Sequence, residues 1–135
     1  MFKYLKTIGA HSGAPEFENL KAKTTMVIMN GSLCEMEDGY LSNSYTEGKA
    51  KFIALEEKAD GVYKTSIKCL RVLPGMLFEV DFIGEAHSIP AGTYVMPING
   101  DYGCILHCEE GSSGIEVVDS SNVEATGKII VTIHR

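Results

Sequence analysis

The chain has 135 residues, 44% of them hydrophobic, and its formal net charge is −6. These values predict one folded domain and exclude extensive disorder. Its lysines are scattered, so the chain lacks the basic face that neutralises phosphates, and we expect no nucleic-acid partner. No apolar run approaches the roughly 18–20 residues that span a bilayer, and the first residues lack a signal-peptide core, so no membrane association is expected.

Residues 1–23 differ from the rest because their apolar positions are sparse and a stretch around Gly9 and Gly13 is flexible. We interpret residues 1–23 as an extended N-terminal arm and residues 24–135 as the β-domain. The pattern leaves open whether the arm packs on its own domain, a neighbouring subunit or another protein. Residues 16–22 have room for one or two helical turns, too few for a helix that is stable alone. The apolar anchors, which are our candidate contact residues, are Phe2, Tyr4, Leu5, Phe17 and Leu20.

In the β-domain, glycine recurs at short intervals, usually beside Asn, Asp or Pro. Asn-Gly and Asp-Gly between β-rich runs are strong hairpin signals. Residues 24–29, 33–37 and 40–41 are therefore predicted to form a meander through the turns Asn30-Gly31 and Asp38-Gly39. Further turns are predicted at Asp60-Gly61, Pro74-Gly75, Asn99-Gly100 and Gly127.

Residues 62–73 alternate as a long strand, but the apolar parity changes between Cys69 and Leu70. A change of parity by one residue is typical of a β-bulge, which we predict there. After Pro74-Gly75, residues 78–82 alternate cleanly between apolar and acidic side chains, which predicts a half-buried strand.

Later β-rich runs cover residues 93–98, 104–108, 115–118 and 128–134, and residues 121–124 fit a capping box that would begin a single helical turn. Together these signals predict an all-β fold, a small β-sandwich or β-barrel of about 8–10 short strands.

The cysteines are Cys34, Cys69, Cys104 and Cys108, which we expect to be free thiols because no export signal is present. Cys104, His107 and Cys108 have a spacing that zinc sites use. Their flanks predict a strand, however, in which positions four apart lie ~13 Å from one another, too far to share one zinc ion. We therefore expect no metal site and no cofactor.

The chain shows no sequence pattern of a nucleophile, a phosphate-binding loop or a catalytic acid–base pair, so we expect no enzyme and no catalytic residues. The acidic groups at residues 35–38, 79–81 and 109–110 alternate with apolar residues, which is typical of a solvated sheet face. Five tyrosines are candidates for stacking on a sugar, although packing at strand ends and interfaces is the favoured alternative: Tyr40, Tyr45, Tyr63, Tyr94 and Tyr102.

The layout resembles the β-rich capsid decoration, or cement, proteins of tailed bacteriophages. The similar segments are the N-terminal arm, the strand–glycine–strand opening over residues 26–33, the turn at residues 38–41, and the runs 48–54, 89–95 and 127–133. The likeness covers most of residues 24–135, but only as a pattern of turns.

The resemblance implies a structural virion protein, made in the host cytoplasm, that binds the major capsid protein on the outside of the capsid and stabilises the head. It also implies a homo-oligomer, with a trimer favoured, and a role for the arm in capsid binding. The alternatives are a β-sandwich binding module for carbohydrate or a host surface and, least favoured, a small β-barrel enzyme.

Overall fold

The structure is a computed structural model that describes residues 1–8, 15–23, 25–59, 61, 66–84, 89–98, 103–106 and 112–134. The all-β prediction is confirmed. The described strands are β1 (Lys3–Thr7), β2 (Phe17–Lys21), β3 (Leu33–Glu37), β4 (Tyr40–Ser42), β5 (Phe52–Ala54), β6 (Ser66–Arg71), β7 (Met76–Asp81), β8 (Val95–Pro97), β9 (Cys104–Leu106), β10 (Ile115–Asp119) and β11 (Lys128–Ile133), with a helical turn α1 (Val123–Thr126).

Two antiparallel sheets pack together as a small β-sandwich, and the described strands do not close into a barrel. The four-stranded sheet has the order β1-β7-β11-β10, and the five-stranded sheet has the order β2-β6-β5-β3-β4. Strands β8 and β9 form a small hairpin beside them. Consecutive strands β6 and β7 lie in different sheets, so the chain crosses between the layers at residues 72–75.

The described part of residues 1–23 is built into the sandwich. Strand β1 pairs with β7 at the edge of one sheet, and β2 pairs with β6 at the edge of the other. Of the three alternatives left open for the arm, the described residues therefore show packing on its own domain. The helical turns considered for residues 16–22 are wrong, because a segment too short to hold a helix gains a full ladder of hydrogen bonds from β6 instead.

Strand β6 separates two hydrophobic cores. Its residue Leu70 faces the first core, between the two sheets, whereas Ile67 and Cys69 face a second core on the other side of the five-stranded sheet. Both ladders of β6 run without a register shift, so the bulge predicted at this position is wrong. The parity changes because the sheet is buried on both faces and β6 contributes to each in turn.

The second core is closed by the covering segment, which is residues 22–23 and 25–28. Its residue Ile28 is 1% exposed and makes only an isolated bridge to Lys58, with backbone hydrogen bonds of 2.9 and 2.8 Å. The turn predicted at Asn30-Gly31 forms, because the Ser32 amide donates to the Met29 carbonyl. The hairpin predicted around it is wrong, since β3 pairs with β4 and β5.

Two other turns depend on glycine. Asp38 and Gly39 both have positive φ, as the two-residue turn between β3 and β4 requires, and this predicted turn is confirmed. At Pro74-Gly75 the Met76 amide donates to the Leu73 carbonyl, in a turn that joins the two sheets. A Cβ atom on Gly75 would lie 2.2 Å from the Ile8 carbonyl oxygen, so β1 and this turn approach too closely for a side chain.

The predicted half-buried strand is confirmed as β7, whose Phe78 and Val80 are fully buried while Glu79 and Asp81 are partly exposed. The helical turn near residues 121–124 is also confirmed as α1. Its N-cap is Asn122, which makes no side-chain capping bond, so the predicted capping box is wrong. The turn signals at residues 60 and 99–100 and the start of the long strand at 62–65 lie outside the described residues.

Candidate interaction surface

Two of the five predicted contact residues belong to the first core. Phe2 is 2% exposed, and its amide donates to the Gly31 carbonyl at 2.8 Å. Tyr4 packs on the same core, with its ring centroid 6.1 Å from that of Phe78 in an edge-to-face arrangement. In this fold these two side chains stabilise the sandwich, so we no longer expect them to contact a partner.

The other three candidates lie near the surface. Leu5 is 38% exposed and Phe17 is 55% exposed, whereas Leu20 is half-buried against the second core. The exposure of Leu5 has a local cause, because the β1–β7 register shifts between Tyr4 and Lys6 and leaves Leu5 as the extra residue. Sequence reasoning found Leu5 as an apolar anchor, but nothing in its sequence context signals the bulge.

Phe17 begins β2, and two basic side chains of β6 contact this part of the strand. The Lys68 ammonium lies 5.1 Å from the centre of the Phe17 ring. The Arg71 guanidinium donates to both carboxylate oxygens of Glu18, at 2.7 and 3.0 Å, which fastens β2 to β6. An aromatic ring held by a cation and still half open to solvent is a suitable anchor for a partner.

The edges of the two large sheets are protected to different degrees. Strand β1 carries the bulge at Leu5, and β4 has only three residues. Strand β10 is covered by residues 92–94, because the Gly92 amide donates to the Val117 carbonyl and the Val117 amide donates to the Thr93 carbonyl. Bulges, shortness and covering segments are the usual means of blocking a sheet edge.

Strand β2 has none of these protections. Its five residues pair with β6 in unbroken register, from Phe17 opposite Leu70 to Lys21 opposite Ser66. Strand β4 comes close to β2, yet among the described residues no backbone hydrogen bond joins the outer edge of β2 to any segment. Within the described part of the chain, the outer edge of β2 therefore makes no backbone hydrogen bond, and we refer to it as the open edge.

A buried ionic network lies where β3 approaches the loop before β5. The Glu35 carboxylate is 1% exposed and accepts bonds of 2.8 Å from both the amide and the hydroxyl of Thr46. The ammonium of Lys51, a residue 3% exposed, lies 3.3 Å from Glu35 and also donates to the carbonyls of Thr46 and Lys49. The prediction of a solvated acidic face is therefore wrong for Glu35.

The network extends to the other sheet through Tyr45. Its hydroxyl donates to the Ser113 carbonyl, and the Lys51 ammonium lies 4.8 Å from its ring centre. Burial alone would raise the pKa of Glu35, but the bonds from Thr46 and Lys51 together hold it below its ordinary value. Burial lowers the pKa of Lys51 and raises that of Tyr45. The side chains of Glu35, Lys51 and Tyr45 therefore stabilise the loop before β5 through these contacts.

A cavity of about 250 Å³ opens beside this network, at the end of the sandwich where the chain crosses between the sheets. Its lining is mainly apolar, and consists of Lys51, Val72, Leu73, Pro74, Gly75, Ile133 and His134. The His134 ring bonds Glu116 at 2.9 Å. Because both polar side chains at the cavity have partners elsewhere, the cavity presents no convergent reactive pair.

The described cysteines are buried and form no disulfide bond, as predicted for Cys34, Cys69 and Cys104. Burial raises the pKa of Cys69 and of Cys104 to about 12, so neither is a ready nucleophile. Cys104 lies in strand β9, while His107 and Cys108 lie outside the described residues. Among the residues that the structure describes, no three His, Cys, Asp or Glu side chains gather as metal ligands.

The tyrosines considered for sugar stacking differ in accessibility. The Lys23 ammonium lies 5.3 Å from the ring centre of Tyr40, and Lys51 covers Tyr45 in the same way. Tyr63 and Tyr102 lie outside the described residues. Neither Tyr40 nor Tyr45 therefore offers two open ring faces.

The described helix, α1, has four residues, which is far too short to cross a membrane. Comparison with family models, with curated proteins and with solved structures finds no match to this chain.

Proposed function

We propose that this chain is a structural protein that binds the outside of a bacteriophage capsid, through the major capsid protein, and stabilises the head. The observation that supports the proposal is that residues 1–23 supply an edge strand to each sheet and expose Leu5 and Phe17 there. An acidic sandwich with apolar side chains at its edges stays soluble alone and buries those side chains on a partner.

The proposed contact uses edges of a rigid body, and not a tail that folds on binding. Phe2 in the first core anchors β1, and the hydrogen-bond ladder with β6 holds β2, so both edge strands are ordered before any partner arrives. A contact that is already ordered loses less conformational entropy on binding than a flexible arm would. A homo-oligomer, which the resemblance implies, would engage several capsid sites at once and add avidity to a contact that is weak at each site.

Binding to capsids tests this proposal directly. Purified chain is mixed with bare heads of the phage whose genome encodes it, and the fraction that sediments with the heads is measured. We expect the wild-type chain to saturate the heads and the variant Leu5→Ser/Phe17→Ser to lose at least about tenfold in affinity, or ~1.4 kcal/mol. Sedimentation of the wild-type chain no better than that of an unrelated acidic protein would refute the proposal.

The matched control is Val27→Ser, since Val27 is 45% exposed and lies on the covering segment, outside β1 and β2. We expect this control to bind heads like the wild type. Deletion of residues 1–23 is not a suitable variant, because it removes both edge strands and Phe2 from the fold.

A carbohydrate or host-surface module is the alternative, and a lysine ammonium already occupies one face of the Tyr40 ring and one face of the Tyr45 ring. A glycan array distinguishes the two: we expect no glycan to be bound, and saturable binding to one glycan class together with no binding to heads would favour the alternative.

A further inference from the structure

The open edge of β2 has a defined pattern of free backbone groups. The Arg71 amide donates to the Glu16 carbonyl at 3.0 Å, so the backbone of Glu16 points towards β6. In an antiparallel ladder the direction of these groups alternates along the strand. The amides and carbonyls of Phe17, Asn19 and Lys21 therefore point away from β6, towards the open edge.

We propose that two copies of the chain form a dimer by pairing their β2 strands antiparallel, about a two-fold axis that passes through Asn19. This proposal goes beyond capsid binding and does not depend on it. In the dimer the two five-stranded sheets join into one continuous sheet across the β2–β2 contact.

The register follows from the backbone pattern. A two-fold axis perpendicular to the sheet keeps every side chain on its own face, so residues of the same parity must lie opposite one another. With the axis at Asn19, Phe17 lies opposite Lys21 of the other copy and Asn19 lies opposite its counterpart. All outward amides and carbonyls of β2 then find partners, whereas a shift by two residues in either direction leaves some of them unpaired.

The side chains also favour this antiparallel arrangement. Acidic residues, Glu16 and Glu18, lie at the start of the strand, and basic residues, Lys21 and Lys23, lie at its end. Antiparallel pairing therefore places the acidic end of each copy beside the basic end of the other, while parallel pairing would place like charges together. Lys21 of each copy also comes opposite Phe17 of the other, a contact that Lys68 already makes within one chain.

No described backbone hydrogen bond has to break for this pairing, because no described residue bonds to the outer edge of β2. The 55% exposed ring of Phe17 becomes partly covered at the same time. Backbone ladders give affinity in strand addition, and side chains on the two faces give selectivity.

A pair of variants at Asn19 tests the proposal. Proline is tolerated on an edge strand where the amide faces solvent, so Asn19→Pro keeps the β6 ladder but removes the central amide of the dimer. Asn19→Ala retains that amide and is the matched control. Molecular mass is measured by light scattering and by sedimentation equilibrium on the isolated full-length chain, over a concentration series and without capsids.

We expect the wild-type chain and Asn19→Ala to be dimers, and Asn19→Pro to raise the dissociation constant at least about tenfold. A wild-type chain that stays monomeric at high concentration, a trimer, or an Asn19→Pro variant that dimerises like the wild type would overturn the proposal. Because capsids are absent, these results do not depend on whether the chain decorates a head.

Hydrogen exchange of the wild type supplies a second measurement in case Asn19→Pro folds poorly. We expect the amides of Phe17, Asn19 and Lys21 to become protected as concentration rises through the dimer transition, while the amide of Glu57, an exposed residue outside the described strands, does not change. Fast exchange of all three β2 amides in a sample that is fully dimeric would also overturn the proposal, because the dimer would then use another surface.

Discussion

The two hydrophobic cores of this molecule are closed in different ways. The first lies between two hydrogen-bonded sheets, so both of its walls are held by ladders. The second has a sheet on one side and the covering segment on the other, which is held by the Ile28–Lys58 bridge and by the bond from the Lys58 ammonium to the Met26 carbonyl, at 2.8 Å. The difference predicts that the first core sets global stability and that the second opens locally.

The largest expected effect is in the first core. Phe78 is fully buried at the centre of β7 and contacts Tyr4 edge to face. We expect Phe78→Ala to lower the free energy of unfolding by about 3–5 kcal/mol, because it leaves a cavity that the packed sheets cannot fill. Urea unfolding followed by circular dichroism measures the loss.

The control for Phe78 is Val118→Ala, since Val118 is 38% exposed at an irregular position of β10. We expect this substitution to change stability by no more than about 0.5 kcal/mol. Similar losses for the two variants would contradict the view that the first core dominates stability.

The next effect concerns the buried network that joins the sheets. Glu35→Gln leaves the Lys51 ammonium buried without its carboxylate, and we expect a loss of about 3–5 kcal/mol at neutral pH. The double variant Glu35→Gln/Lys51→Met should recover part of this loss, because it removes the unpaired charge as well. A double variant less stable than Glu35→Gln alone would contradict this account.

The same network predicts a pH dependence with a definite sign. The folded state holds the pKa of Glu35 below its ordinary value of 4.5, so the carboxylate stabilises the fold above that value. This contribution is lost as the pH falls from about 4.5 through the lowered pKa. We expect the stability of Glu35→Gln to change less than that of the wild type over this acidic range. Parallel curves for the two proteins would show that Glu35 does not titrate as proposed.

A smaller effect is expected where the second core is closed. Lys58→Met keeps an unbranched side chain in place but removes the ammonium that donates to the Met26 carbonyl. We expect this change to lower the free energy of unfolding by about 1–3 kcal/mol. Hydrogen exchange should become faster in the covering segment and remain unchanged in β7, since the two cores open separately. Equally faster exchange in the covering segment and in β7 would show that the cores open as one unit. The matched control is Lys3→Met, because Lys3 is exposed.

Much of this fold could be predicted from the sequence because turn chemistry is local. Asp38-Gly39 and the alternation in β7 specify their structures within a few residues, and both predictions were confirmed. The partners of a strand depend on distant residues. At Asn30-Gly31 the local sequence therefore predicts the turn, but not which strands pair beside it. Its hairpin does not form because Ile28 is needed to cover the second core.

The candidate surface was harder to predict, since exposure depends on tertiary packing. The sequence marks Phe2 and Phe17 alike as isolated apolar residues, yet one is buried in the first core and the other is 55% exposed. Glu35 likewise has the same sequence context as its exposed neighbour Glu37. These residues differ in burial because another layer of the fold packs on some of them and not on others. No local sequence pattern shows where that layer lies.

The smallest effect is expected for the ion pair that fastens β2 to the outside of the five-stranded sheet. Glu18 and Arg71 are each about a third exposed, so we expect Glu18→Gln to cost about 0.2–1 kcal/mol, and less at high salt. Glu57→Gln is the control, because Glu57 is exposed, and urea unfolding of the two variants should show a smaller loss of stability for Glu57→Gln than for Glu18→Gln. A loss above about 2 kcal/mol that salt does not change would mean that the pair acts as a buried one. Strand β2 would then be held to the sheet largely by a buried ion pair, and not mainly by its backbone ladder.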